Sequence, residues 1–276
     1  MPAPMPPTPT LAPARSVPLV GLSGNPVLAR VHDAGQGRPV CFLHGLVGLN
    51  DHWDEVVRRI AHRYRSTMLE LPLLDLRDED CSIDGATALT IRFLEQSTKG
   101  TGTVLVGNSF GGHVALRIAL ERPDLVSGLV LAGASGLIEK SMVSDIQIRP
   151  SRAWLDRKIG ELFFDHAKMN QADVDRAHVA LSDRGGARAM VKLSRSARRN
   201  HLGEHIHRIT SPTLIIWGRQ DIVTPPEAAE QFLAHIKGSR IVWLDQCGHA
   251  PMIEKPDEFA EAMIEFADQL DRRDSR

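Results

Sequence analysis

Three short stretches of this chain carry side chains able to act together on a carbonyl carbon. The first is Gly107-Asn108-Ser109-Phe110-Gly111-Gly112, a serine bracketed by glycines. An apolar run over residues 103–106 stops at Gly107, and an apolar helical pattern follows Ser109. The hydroxyl therefore sits at the apex of a strand, a sharp turn and a helix. This is Gly-x-Ser-x-Gly, the nucleophile elbow, which holds its serine strained and exposed at the top of a sheet. Gly107 and Gly111 fit because the serine backbone is forced toward positive φ, where neighbouring Cβ atoms would clash. The same pattern alone would also suit a plain tight turn. The strand before it and the helix after it favour the catalytic reading.

A serine hydroxyl is a weak nucleophile at neutral pH and needs a base, and the base needs an orienting carboxylate. Trp217-Gly218-Arg219-Gln220-Asp221-Ile222-Val223-Thr224-Pro225 places Asp221 just beyond an apolar strand and before a proline-started helix. Cys247-Gly248-His249-Ala250-Pro251 places His249 just beyond the last apolar strand. The chain order is Ser109, Asp221, His249. Asp221 could instead be only a helix cap, and an isolated histidine is commonly structural; the Gly-His-x-Pro context after a strand favours catalysis. His113 reads as a packing residue on a helix. His201, His205 and His207 lack an acidic or cysteine partner at ligand spacing, so no metal and no cofactor are expected. Arg188, Lys192, Arg195 and Arg198 or Arg199 share one helix face, which is either solvated or a handle for an acidic substrate.

The elements that must position these residues follow from apolar patterning. Residues 17–22 and 26–31, separated by Ser23-Gly24-Asn25, predict an antiparallel hairpin. A continuous apolar run at 39–43 predicts a strand buried on both faces, and 66–71, 103–106, 125–132, 212–217 and 240–244 are further strand candidates. Helical patterns occupy 83–95, 110–121, 226–236 and 257–270. Another begins near Asn50-Asp51, both good N-caps, with Trp53, Val56, Val57 and Ile60 at helical spacing. Strands alternating with helices predict an α/β fold with a mainly parallel sheet and helices on both faces. The alternation breaks over residues 136–210, which read as a helical cap inserted between core segments 17–135 and 211–276.

Bulk composition limits the alternatives. A chain of 276 residues with 42% hydrophobic and 24% charged residues can bury a sizeable core as one large domain. A net charge of −1 gives no global attraction to nucleic acid or anionic membrane, which leaves a small-molecule substrate as the expected partner. Cys41, Cys81 and Cys247 show no C-x-x-C spacing and fit a reducing compartment. Residues 1–16 carry six prolines and read as a flexible tail rather than a signal peptide. No run approaches the roughly 18 apolar residues of a membrane span, so a cytoplasmic protein is expected, with the oligomeric state left open.

From residue 17 to residue 270 the chain resembles the α/β-hydrolase superfamily. The resemblance is carried by Phe42-Leu43-His44-Gly45, the elbow, Trp217-Gly218-Arg219-Gln220-Asp221 and Cys247-Gly248-His249-Ala250-Pro251-Met252-Ile253-Glu254-Lys255-Pro256. It implies an α/β-hydrolase fold with Ser109 as nucleophile, His249 as general base and then acid, and Asp221 as its orienting partner. It also implies an oxyanion hole built from the backbone N–H groups of Leu46 and Phe110, with His44, Gly45 and Asn108 in support. Serine at the elbow, where haloalkane dehalogenases and epoxide hydrolases have aspartate, implies acyl chemistry. The elbow and cap are similar to those of carboxylesterases and of C–C-bond hydrolases of meta-cleavage pathways. The latter usually have tryptophan after the catalytic histidine, where this chain has Ala250. The expected function is a serine hydrolase of carboxylic esters; the alternatives are a C–C hydrolase and a non-catalytic binding protein of the same fold.

Overall fold

Alternating apolar runs and helical patterns fold, in a computed structural model, into one eight-stranded sheet with hydrophobic cores on both faces. The structure describes residues 12–97, 102–138 and 150–275. Residues 1–11 of the expected tail and residues 139–149 of the expected cap lie outside the described residues.

Strands β1 (Arg15–Val20) and β2 (Pro26–Gly35) form the expected antiparallel hairpin, turning through Gly24 at φ +80°. β1 starts at Arg15, so the last two residues of the stretch read as tail are strand. β2 runs beyond residue 31 and pairs antiparallel with β4 (Tyr64–Glu70). Every other pairing is parallel. It links β4 to β3 (Arg38–Leu43), then β5 (Thr103–Asn108), β6 (Val126–Ala132), β7 (Thr213–Gly218) and β8 (Arg240–Leu244). All six residues of β5 and of β7 are buried, which is why these segments read as unbroken apolar runs. In such a sheet the crevice for a ligand lies beyond the strand C-terminal ends.

Helix α1 (Asp54–Ile60) is preceded by a 3₁₀ turn, Asn50–Trp53, and here one expectation fails. Neither Asn50 nor Asp51 is the cap; Leu49 holds that position without a side-chain bond. Asn50 is buried, and its amide donates instead to Met68 O at 3.0 Å. A tertiary acceptor outcompetes the local one. Helices α2 (Ile83–Ser97) and α3 (Phe110–Glu121) flank the elbow strand, and α3 is buried nearly all round.

Between β6 and β7 lie α4 (Arg152–Gly160), α5 (Gln171–Ser182) and α6 (Arg184–Arg199). Each starts on a side-chain cap: Ser151, Asn170 and Asp183 accept the N–H of Trp154, Ala172 and Gly186. Leu155, Val174, Ala177 and Leu181 give this insert a small core of its own. After β7 come α7 (Pro226–His235), the four-residue α8 (Pro251–Glu254) and α9 (Pro256–Asp274). No helix among the described residues is long and apolar enough to cross a membrane.

Candidate active site

The elbow is built by close packing that excludes side chains. Ser109 sits at φ +53°, a conformation that costs a non-glycine residue about 1–3 kcal/mol and persists only where its surroundings enforce it. Here Ser109 N donates to Ala132 O (3.2 Å), while Ser109 O accepts from Ser135 N (3.0 Å) and His113 N (3.2 Å). A Cβ on Gly107 would strike the Gly111 carbonyl, and one on Gly111 would strike the carbonyls of Leu43 and His44. The glycines let α3 start hard against β5 and β3.

The loop after β3 passes over the serine: a Cβ on Gly45 would lie 3.4 Å from Ser109 Cβ. His44 braces this loop, its Nδ1–H donating to Gly45 O at 2.7 Å. Burial lowers the pKa of His44 and so favours the neutral ring. No backbone acceptor among the described residues takes the N–H of Leu46 or of Phe110. Both residues border the cavity that holds Ser109.

Asp221 and His249 come together because the ends of β7 and β8 are laced to each other. Arg219 N donates to Leu244 O (3.0 Å), Gln220 N to Cys247 O (3.0 Å), and Cys247 N to Gln220 Oε1 (3.0 Å). Asp221, 2% exposed, accepts the N–H of Val223 (2.8 Å) and Thr224 (3.0 Å) on Oδ1. Its Oδ2 accepts His249 Nδ1–H at 2.9 Å. Asp221 is thus more than a local cap. With the proton on Nδ1, a neutral His249 carries its lone pair on Nε2, and the ring lines the same cavity as Ser109. Asn108 ties the three loops together, its Nδ2 donating to Ala132 O (2.9 Å) and His249 O (3.1 Å).

Two neighbours of this pair were not singled out from the sequence. The Thr224 hydroxyl is fully buried and lies 2.8 Å from Asp221 Oδ2, 3.1 Å from His249 Nδ1 and 3.1 Å from Gly133 O. Gly133 (φ +51°) faces the pair so closely that a Cβ there would fall 3.0 Å from His249 Nδ1. The spacing Asp221-x-x-Thr224 carried a signal for the first; nothing local identified the second.

The cavity above Ser109 measures about 210 Å³. The insert supplies its roof through Trp154, Ile159, Leu162, Phe163 and Met190, and the lining is mostly apolar. Its polar lining includes Lys158, which bonds Glu161 (3.0 Å), His52, which bonds Asp173 (3.1 Å), and Arg198 of α6, the one member of the basic helix face that borders the cavity. His113 packs behind the elbow as expected, buried away from the cavity. Arg188, Lys192, Arg195, Arg198 and Arg199 are exposed on α6, with Lys192 donating to Asp78 O. The three cysteines are buried and free of disulfides. No cluster of metal-ligating side chains occurs among the described residues, and His201, His205 and His207 form none.

Residues 42–262 match the alpha/beta hydrolase family. A 2-hydroxy-6-oxo-6-(2'-aminophenyl)hexa-2,4-dienoic acid hydrolase from Metapseudomonas resinovorans is 29% identical over 255 residues, 87% of this chain and 87% of that protein. A pimeloyl-[acyl-carrier protein] methyl ester esterase from Nitrosomonas europaea is 26% identical over 256 residues, 84% of this chain and 97% of that one. The crystal structure of a serine hydrolase involved in carbazole degradation aligns with a TM-score of 0.79 at 26% identity, covering 93% of this chain and all of that one.

Proposed function

The chain belongs to the alpha/beta hydrolase family, and from that premise we propose that it hydrolyses carboxylic esters of small or medium, partly apolar substrates through an acyl-enzyme on Ser109. The observation that carries this reading is the buried Asp221–His249 pair, bonded at 2.9 Å, beside a strained serine on the floor of an apolar cavity. In this reading His249 Nε2 takes the Ser109 proton as Oγ attacks the ester carbon. The N–H groups of Leu46 and Phe110 hold the oxyanion, and each such donor is typically worth ~10²–10³ in turnover. Collapse of the tetrahedral intermediate expels the alcohol, which receives the proton from His249. A water molecule, deprotonated by the same ring, then releases the acid.

The cavity supports the size class. At about 210 Å³ it exceeds the roughly 150 Å³ apolar cavity that holds benzene, so it has room for one ring or a short chain and little more. Ala250 supports ester over C–C chemistry, since C–C hydrolases usually have tryptophan at that place. The dienoic acid hydrolase at 29% identity supports C–C cleavage as the second reading.

A panel of p-nitrophenyl esters and a dienoate ring-fission product, supplied to wild type and Ser109→Ala, tests the proposal. Turnover of short-chain esters, abolished in the variant, is the expected result. Preference for the dienoate would establish the C–C reading. A folded wild-type protein that turns over neither and resists a fluorophosphonate would be a binding protein.

A further inference from the structure

We propose that Glu254 is a positioning residue that locks the His249 loop to the insert, so that one buried carboxylate governs both the alignment of the base and the seating of the cavity wall. The inference rests on the serine-hydrolase reading above. Glu254 ends α8 and is 5% exposed. Its Oε1 accepts Gly248 N–H at 2.7 Å, one residue before His249. Its Oε2 accepts Phe164 N–H (2.8 Å) and Asp165 N–H (3.0 Å), both in the stretch that follows α4.

That stretch lies directly along the histidine loop. His249 N donates to Leu162 O at 2.7 Å. A Cβ on Gly248 would fall 2.6 Å from Leu162 O and 2.9 Å from Phe164 N, so glycine is what permits the approach. Leu162 and Phe163 are at the same time wall residues of the cavity. The backbone of His249 is thus gripped from three sides. Leu162 O takes its N–H, Asn108 holds its carbonyl, and Glu254 holds the preceding N–H.

Three N–H donors converge on one side chain, and this decides what the residue must be. A carboxylate has two acceptor oxygens with lone pairs for all three bonds. An amide of the same shape has one acceptor oxygen, and its NH₂ would oppose an N–H donor. Glu254→Gln must therefore release either the histidine loop or the insert stretch, and both lie on the cavity. Misplacing a reacting group by about 1 Å can cost on the order of 10² in rate.

The role predicts a split that plain structural support would not give. In Glu254→Gln, kcat for p-nitrophenyl butyrate per folded molecule is expected to fall about 10–100-fold with KM within about threefold. Glu254→Asp, with both oxygens on a shorter stem, should recover part of that loss. Hydrogen exchange gives a second readout that needs no substrate: in Glu254→Gln either amides 164–165 or amides 248–249, whichever segment the glutamine releases, should lose protection. A loss confined to KM or to Tm, or unchanged exchange at those amides, overturns the proposal. If Glu254→Gln does not fold, Gly248→Ala pushes the two segments apart with the carboxylate intact and should show the same kcat-selective loss. An unaltered kcat in folded Gly248→Ala also overturns it. Fluorophosphonate labelling of the wild type tests the serine-hydrolase reading separately, so the two failures are distinguishable.

Discussion

Replacing Gly133 with alanine perturbs the Asp221–His249 pair without touching either residue. The added methyl would sit 3.0 Å from His249 Nδ1, 3.1 Å from Asp221 Oδ2 and 3.2 Å from His249 O. Ordinary contacts of this kind are a few tenths of an ångström longer, so the ring and the carboxylate must give way, which disturbs the 2.9 Å bond that joins them. A hydrogen bond to a charged group contributes about 1.5–3 kcal/mol, and losing it in the transition state corresponds to about 10–100-fold in kcat. The substitution also places alanine at φ +51°, which costs about 1 kcal/mol, or about 2–4 °C in Tm for a chain of this size. Gly24 and Gly238 separate the two effects. They have φ of +80° and +76° and nothing within 4 Å of an added Cβ. Gly24→Ala and Gly238→Ala carry only the backbone cost and should lower Tm by about 2–4 °C and leave kcat unchanged. The assay is ester turnover alongside thermal unfolding for the three variants. Wild-type kcat in Gly133→Ala, or an equal loss of kcat in Gly238→Ala, would refute the reasoning.

Two further substitutions probe groups around the site. Thr224→Val keeps the volume but removes the hydroxyl 2.8 Å from Asp221 Oδ2, and it strands the buried Gly133 carbonyl that lies 3.1 Å from that hydroxyl. Unfolding in urea should show a loss of about 1–3 kcal/mol, with kcat down about tenfold; wild-type values for both would exclude a role for the hydroxyl. His113 is held at a pKa of about 3 by burial and, secondarily, by the charge of Arg117. Its unfolded value is near 6.5, so between these limits the unfolded chain binds a proton that the folded chain does not. Stability therefore falls as pH drops below about 6.5, by about 1.4 kcal/mol per unit. Neither ring nitrogen makes a well-formed hydrogen bond among the described residues, and the Asn200 backbone only partly offsets the lowering by burial. His113→Leu should be at least as stable as wild type at pH 7 and should lose about 2–3 kcal/mol less on going from pH 6.5 to pH 4.5. An unchanged acid slope in urea unfolding would contradict this.

The parts of the molecule that were legible in the sequence are those whose signal is local. β5 and β7, buried on both faces, wrote continuous apolar runs. Helices α4 to α6 were legible as the helical stretch that breaks the strand–helix alternation. The elbow wrote its glycines because the backbone at Ser109 needs them within two positions on either side. Thr224, Gly133 and Glu254 were missed because their work is done across space. The donors that meet Glu254 lie on the histidine loop and on the stretch after α4, and the atoms that crowd Gly133 belong to Asp221 and His249. Asn50 misled for the same reason, since a cap residue by type was claimed by the Met68 carbonyl. α8 has four residues, too few for any periodicity to register. The roof of the cavity was legible as helices but not as a surface, because which faces of α4 and α6 look toward Ser109 depends on how the insert sits on the sheet.

In the proposed mechanism Ser109 is a nucleophile activated by its surroundings. Treating the native protein with a fluorophosphonate and measuring the intact mass, followed by peptide mapping, tests it most directly. One adduct per chain, mapped to Ser109 and absent from Ser109→Ala and from protein unfolded before treatment, is the predicted result. An unlabelled native protein, or an adduct on any residue other than Ser109, would contradict it.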